Sequence, residues 1–264
     1  MVGRFTTASL RTATRYLMSE STRLADLAAN YSHVLENVHK LNPKARLVAV
    51  SKYKPASDIQ ALYDIGVRDF GENYVQELIE KVQTLPKDIR WHFIGALQTG
   101  KCNVLLRDIP NLFAVQTVDL LKKCTKLNSS RSSIEGSKVI NVYLQVNTSG
   151  ETQKAGFSYE NVPDLEKTVE YLLKEATHLK LLGLMTIGSV TESQSEQENA
   201  DFARLVLLKL QLDLKYDIDL ELSMGMSSDY VDAINQGSTC VRVGSSIFGS
   251  RITKEEAKEQ KIGN

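Results

Sequence analysis

Apolar residues recur along this chain in two rhythms. Short runs rich in Val, Leu and Ile read as buried strands, and longer stretches with apolar positions three and four apart read as amphipathic helices. The first helical stripe covers residues 20–40, with Leu24, Leu27, Ala28, Tyr31, Val34, Leu35 and Val38 on one face, and Asn42-Pro43 ends it. Strand patterns follow at 47–51, within 66–73, and at 90–95, 112–116, 139–146, 179–187, 220–223 and 240–243. Between them lie helical patterns at 56–63, 74–82, 101–106, 118–127, 162–176, a long one reaching 214 after a polar entry at 191–199, and 227–235. Residues 128–137 read as a surface loop, 147–156 as a polar, glycine-bearing segment, and 252–264 as a charged, frayed tail.

About eight strands alternating with helices, with no Pro- or Gly-rich linker to divide them, predict one α/β domain. The pattern is that of a single (β/α)8 TIM barrel over residues 20–251 with an extra N-terminal helix. A doubly wound open sheet is the runner-up, but its first strand would be followed by G-x-G-x-x-G, which is missing here.

Composition narrows the function classes. The 264 residues are 42% hydrophobic, enough for one sizeable core, and 32 basic side chains balance 32 acidic ones. That balance gives no support for nucleic-acid or membrane-surface binding. Cys102, Cys124 and Cys240 are far apart and form no C-x-x-C pair, so a reducing compartment and no disulfide framework are expected. No apolar run reaches the roughly 18 residues of a membrane span. Residues 1–19 form a separate, flexible extension; they carry Arg4, Arg11 and Arg15 and no acid before Glu20. That is the composition of a mitochondrial transit peptide, against the alternative of a disordered basic extension on a cytoplasmic protein.

In such barrels the chemistry sits at the carboxyl ends of the strands. The first strand, Leu47-Val48-Ala49-Val50-Ser51, stops at Lys52, with Pro55 opening the next helix. A primary amine there can form an imine with an aldehyde, and desolvation is expected to lower its pKa; the alternative is a lysine that merely reaches solvent. The other strand ends offer Asn73, His92 with Gly95, Asn147, Met185-Thr186, Met226-Ser227, and Arg242-Val243-Gly244-Ser245. Loops after the last two strands often bind phosphate. Gly225 and Gly244 would let the backbone come close, and Ser227 could both cap a helix and donate to the anion, although ordinary tight turns would look the same. Arg242, inside an apolar run, must be ion-paired within the barrel or face a ligand. His92 is either a satisfied core histidine or a ligand. No cluster has metal-ligand spacing, and no serine sits in G-x-S-x-G.

Six segments carry a resemblance. They are Ala49-Val50-Ser51-Lys52-Tyr53-Lys54-Pro55, Phe70-Gly71-Glu72-Asn73-Tyr74-Val75-Gln76-Glu77, Trp91-His92-Phe93-Ile94-Gly95 with Leu97-Gln98, Gly183-Leu184-Met185, Ser223-Met224-Gly225-Met226-Ser227, and Val241-Arg242-Val243-Gly244 with Ile247-Phe248-Gly249. In this order they resemble the motifs of the pyridoxal phosphate homeostasis protein family, which is similar to the N-terminal barrel of alanine racemase. The resemblance implies pyridoxal 5'-phosphate (PLP) held on Lys52 as an aldimine. It puts Ser227, Gly244 and Ser245 around the phosphate, counts Asn73 and His92 as further cofactor-binding residues, and sets Arg242 against the pyridine nitrogen. An arginine there keeps that nitrogen unprotonated and weakens the ring as an electron sink. Two positions depart from the pattern: Gly100 replaces a usual asparagine, and Ser245 stands where threonine is common.

The resemblance implies a monomeric, non-catalytic carrier and buffer of PLP, in transient contact with apo-PLP enzymes and with neither nucleic acid nor membrane. The alternative is a PLP-dependent amino-acid racemase or decarboxylase. Racemisation needs a proton donor and a proton acceptor on opposite faces of the substrate, and Lys52 supplies only one. In racemases of this type a second domain brings the other, and with so short a stretch after the last strand that domain is expected to be absent. A Schiff-base aldolase acting on a phosphosugar is a third reading, against which the resemblance argues.

Overall fold

Leu47, Val48 and Ala49 are buried along the whole first strand because helices cover one face of it and the barrel interior the other. The structure is a computed structural model that describes residues 7–194 and 197–250, with side chains from residue 21 onward. The charged tail lies outside the described residues.

In chain order the elements are α1 (Thr7–Leu41), β1 (Arg46–Val50), α2 (Ala56–Asp64), β2 (Asp69–Glu72), α3 (Val75–Thr84), β3 (Arg90–Phe93), α4 (Cys102–Asp108), β4 (Leu112–Val118), α5 (Leu121–Ser132) and β5 (Ile140–Asn147). They continue with β6 (Phe157–Ser158), α6 (Val162–Lys174), β7 (Leu179–Met185), α7 (Val190–Ser193), α8 (Ala200–Tyr216), β8 (Glu221–Ser223), α9 (Tyr230–Asn235), β9 (Cys240–Val243) and α10 (Ser245–Phe248). All pairings are parallel. Strand β1 pairs with β2 on one side and with β9 on the other, through Leu47↔Val241. The β4–β5 and β5–β7 pairings complete a closed ring of eight strands, the expected (β/α)8 barrel. Strand β6 lies outside the ring and extends the end of β5 through Val146↔Phe157.

Several boundaries differ from the sequence reading. Helix α1 starts at Thr7, within the segment read as a flexible extension; no Gly or Pro interrupts residues 7–41. Its stripe packs as expected, with Leu27, Val34 and Val38 buried. Helix α5 runs on through Ser132 into the expected loop, because the hydroxyls of Ser129, Ser132 and Ser133 each bond back to a carbonyl three residues earlier. Helix α9 begins at Tyr230, so Ser227 does not cap it.

Helix α1 matters to the site because it braces the last elements of the barrel. Arg23 ion-pairs with Asp58 of α2 at 2.6 Å and donates to the Phe248 carbonyl at 2.9 Å. Asn30 donates to the Ile247 carbonyl at 3.2 Å.

Candidate functional site

Lys52 stands on a turn fixed from below. The Ser51 amide still donates to the Gly71 carbonyl at 3.0 Å, which carries the β1–β2 ladder one residue past the strand. From α3, the buried Lys81 amine donates to the Ser51 carbonyl (2.9 Å), to Glu72 Oε1 (2.6 Å) and to Glu77 Oε1 (2.6 Å). The Ser51 hydroxyl donates to the same Glu72 oxygen at 2.6 Å, and the Tyr53 amide donates to Glu77 Oε1 at 2.7 Å. The carbonyl before Lys52 and the amide after it are therefore both held by one charged cluster. Tyr53 sits in the left-handed region (φ 63°), a conformation that costs a bulky residue about 1–3 kcal/mol and that the Glu77 bond helps to hold. Burial pushes the Glu72 carboxyl up to about 6, against the pull of Lys81 and Ser51.

Six of the seven residues expected at the site line one cavity of about 520 Å³ at the carboxyl ends of the strands: Lys52, Asn73, Ser227, Arg242, Gly244 and Ser245. Its apolar wall comes from Val50, Ile94, Met185 and Met226. Lys54 also reaches the cavity, but its amine donates to the carbonyls of Phe248, Gly249 and Ser250 at 3.0–3.3 Å.

Arg242 makes no ion pair among the described residues. Its guanidinium donates to the Ser223 hydroxyl at 2.6 Å and to the Thr186 carbonyl at 2.8 Å, and burial pushes its pKa down. Of the two readings the sequence left open, the internal ion pair is absent among the described residues, and the buried guanidinium, held by neutral acceptors, stands at the cavity wall.

His92, the seventh residue, lies away from the cavity wall and is wholly buried in the barrel interior. There it belongs to a continuous chain. Ser223 donates to Gln116 Oε1 at 2.7 Å, Gln116 Nε2 donates to His92 Nδ1 at 2.9 Å, and His92 Nε2 donates to Asp69 at 3.0 Å. An amide N–H on Nδ1 fixes the proton on Nε2, and burial pushes the imidazole pKa down, so the ring is neutral. The structure thus gives His92 the role of a satisfied core histidine that orients Arg242 through Gln116 and Ser223. Neither of those two was singled out as a partner of Arg242, because sequence spacing carries no sign of pairings between distant strands.

At the opposite side of the cavity the backbone amides of Gly244 and Ser246 converge on Ser227 Oγ at 3.2 and 3.3 Å. The serine belongs to the β8 loop and the amides to the start of α10, so the two loops expected to form a phosphate cradle do meet. Asp229, a residue the sequence reading missed, shapes the first loop by accepting from the Met226 amide at 2.6 Å. Gly225 is required: its φ is +96°, and a Cβ there would stand 2.5 Å from that of Ala233. Gly244 is not comparably constrained, since a Cβ there would meet the Val50 carbonyl at an ordinary 3.4 Å.

Asn73 completes the wall. A side chain on Gly95 would come within 1.8 Å of the Asn73 carbonyl, so only glycine lets the end of β3 pass so close. The Asn73 side-chain oxygen is buried without a hydrogen-bond partner. An amine, an uncompensated guanidinium and converging amides fit a ligand with an electrophilic carbon, a ring acceptor and a phosphate, and the orphaned amide oxygen would accept from a hydroxyl on it. The residues present are therefore compatible with PLP.

Residues 22–252 match the family "Alanine racemase, N-terminal domain". A Schizosaccharomyces pombe pyridoxal phosphate homeostasis protein is 47% identical over 209 residues, covering 79% of this chain and 85% of the relative. The chain belongs to this family. The human pyridoxal phosphate homeostasis protein is 44% identical over 78% of the chain and 76% of its own length. Among solved structures, PipY of Synechococcus elongatus with PLP bound superposes with a TM-score of 0.69 at 30% identity, covering 86% of this chain and 100% of that one. Alanine racemase of Clostridium difficile shares the fold (TM-score 0.67, 16% identity, 89% of this chain and 59% of that one).

Proposed function

We propose that this chain binds PLP covalently through the Lys52 amine and acts as a carrier and buffer of the cofactor without substantial turnover of its own. When bound, the cofactor supplies an aldehyde carbon able to form imines with primary amines. Lys52 supplies the amine, on a turn that the Lys81 cluster holds still. Gly244, Ser246 and Ser227 would hold the phosphate, with Ser245 beside them, and Arg242 would donate to the ring nitrogen. A guanidinium has no proton to release at neutral pH, so it holds that nitrogen as an acceptor and limits the ring as an electron sink.

One observation carries the non-catalytic part of this reading. Among the described residues the cavity wall bears lysines, Arg242, Asn73 and serines, but no carboxylate, imidazole, phenol or thiol. The other wall amine, Lys54, donates to three backbone carbonyls, which sets it poorly for exchanging a proton on the face away from Lys52, as racemisation requires. The reading extends to transient contact with apo-enzymes that receive the cofactor and to a monomer in the cytoplasm. Balanced charge and three buried free cysteines are consistent with that compartment.

The test is solvent exchange of the α-proton, followed by NMR in D2O, on a panel of L-amino acids with the PLP-loaded protein. The expected exchange is far slower than about 1 s⁻¹, and turnover at or above that rate would make the protein an enzyme.

A further inference from the structure

A second cavity, also of about 520 Å³, opens at the amino ends of β3, β4 and β5, on the barrel face opposite Lys52. Four cations line it: Lys87, Arg90, Arg131 and Lys138. Only Arg90 has a carboxylate partner among the described residues, Asp69. The single acid on the wall, Asp88, is already matched by Arg68 at 2.8 Å and by the Tyr63 hydroxyl at 2.6 Å. Three positive charges are left without a counter-charge around one concave surface.

Arg131 is the informative one, because it is only 3% exposed. Its Nε donates to the Lys138 carbonyl at 2.8 Å and its Nη1 to the Leu106 carbonyl at 3.2 Å, while Nη2 has no partner among the described residues. Two carbonyls satisfy donors but neutralise nothing, and burial pushes the pKa of this guanidinium down. The bond to the Lys138 carbonyl also ties a second cation's backbone against it. Like charges around one partly dry pocket repel each other unless an anion joins them. A guanidinium fork suits phosphoryl and carboxylate oxygens, which it can grip in pairs.

We propose that this cavity binds a compact polyanion, phosphoryl- or carboxylate-bearing, anchored on Arg131, with Lys138 at its rim and Lys87, whose amine otherwise donates to the Val82 carbonyl, beside it. The site is independent of the reading of Lys52. Arg90 on its wall also begins the buried chain Asp69–His92–Gln116–Ser223–Arg242, so the two cavities stand at the ends of one run of hydrogen bonds.

The full-length protein is titrated calorimetrically, at low salt and in phosphate-free buffer, with pyrophosphate, ADP and citrate. The same titrations are made on Lys87→Glu/Lys138→Glu and on Ser227→Ala. Both lysines are exposed, so the double variant should fold, and circular dichroism checks it. The expected result is a binding event, weakened by added salt, that Ser227→Ala keeps and the double variant weakens at least about tenfold. Preference for pyrophosphate and ADP over citrate would identify a phosphoryl ligand, and the reverse a carboxylate one. No binding of any probe, or equal binding by the wild type and the folded double variant, would overturn the proposal.

Discussion

Arg242 and Glu72 show how single residues at this site set binding against stability. Arg242 is a buried cation with neutral partners, a costly arrangement in the absence of a ligand. Replacing it by a side chain of similar length without charge removes that cost, and Ser223 keeps its bond to Gln116. Arg242→Met should therefore leave the ligand-free melting temperature unchanged or raised while weakening PLP binding at least about tenfold. Thermal unfolding and equilibrium dialysis would check this, and a strong loss of stability with normal binding would contradict it. For Glu72 the sign of the pH effect follows from its carboxyl, which titrates near 6 in the fold against an ordinary 4.5. Below the ordinary value both folded and unfolded chains are protonated there, and the contribution to stability is complete. As the pH rises through 6 the unfolded chain ionises first, and roughly 2 kcal/mol is lost. Denaturant unfolding at pH 4 and pH 7 should show this difference in the wild type and not in Glu72→Gln.

At the scale of elements, close approach decides which residues cannot vary. The end of β3 passes Asn73 so tightly that Gly95→Ala must shift backbone, not a flexible side chain. Chemical denaturation should show a loss of order 3 kcal/mol, whereas Gly100→Ala, which meets nothing within 4 Å, should cost almost nothing. The barrel itself was legible in the sequence, because a run such as Leu47–Val50 is buried on both faces and so is continuously apolar, and Ile140–Val146 is nearly so, broken by Asn141 and Gln145. The ends of helices were less so: α5 outran its expected stop because serine hydroxyls can satisfy a helix's own carbonyls. At the site, Lys52, Asn73, Ser227 and Arg242 were readable because a barrel gathers its strand ends into one cavity. His92 is on the same face of β3 as Ile94 but one layer deeper: Ile94 lines the cavity, and His92 lies below it, bonded to Gln116 and Asp69. The Lys81 cluster went unread because it joins two strands and a helix through contacts that no local motif records.

As a whole the molecule is a closed barrel with two polar mouths. One presents the amines of Lys52 and Lys54 beside the meeting loops of Ser227 and Gly244, and the other presents cations that have no carboxylate partner among the described residues, Arg90 excepted. The central claim is that the first mouth holds PLP on Lys52. The most direct measurement is borohydride reduction of the purified, PLP-loaded protein followed by peptide mapping. The account predicts loss of the visible imine absorbance and a single pyridoxyl label on Lys52, absent from Lys52→Ala. A label on Lys54 or Lys101 instead, or no covalent label at all, would contradict it.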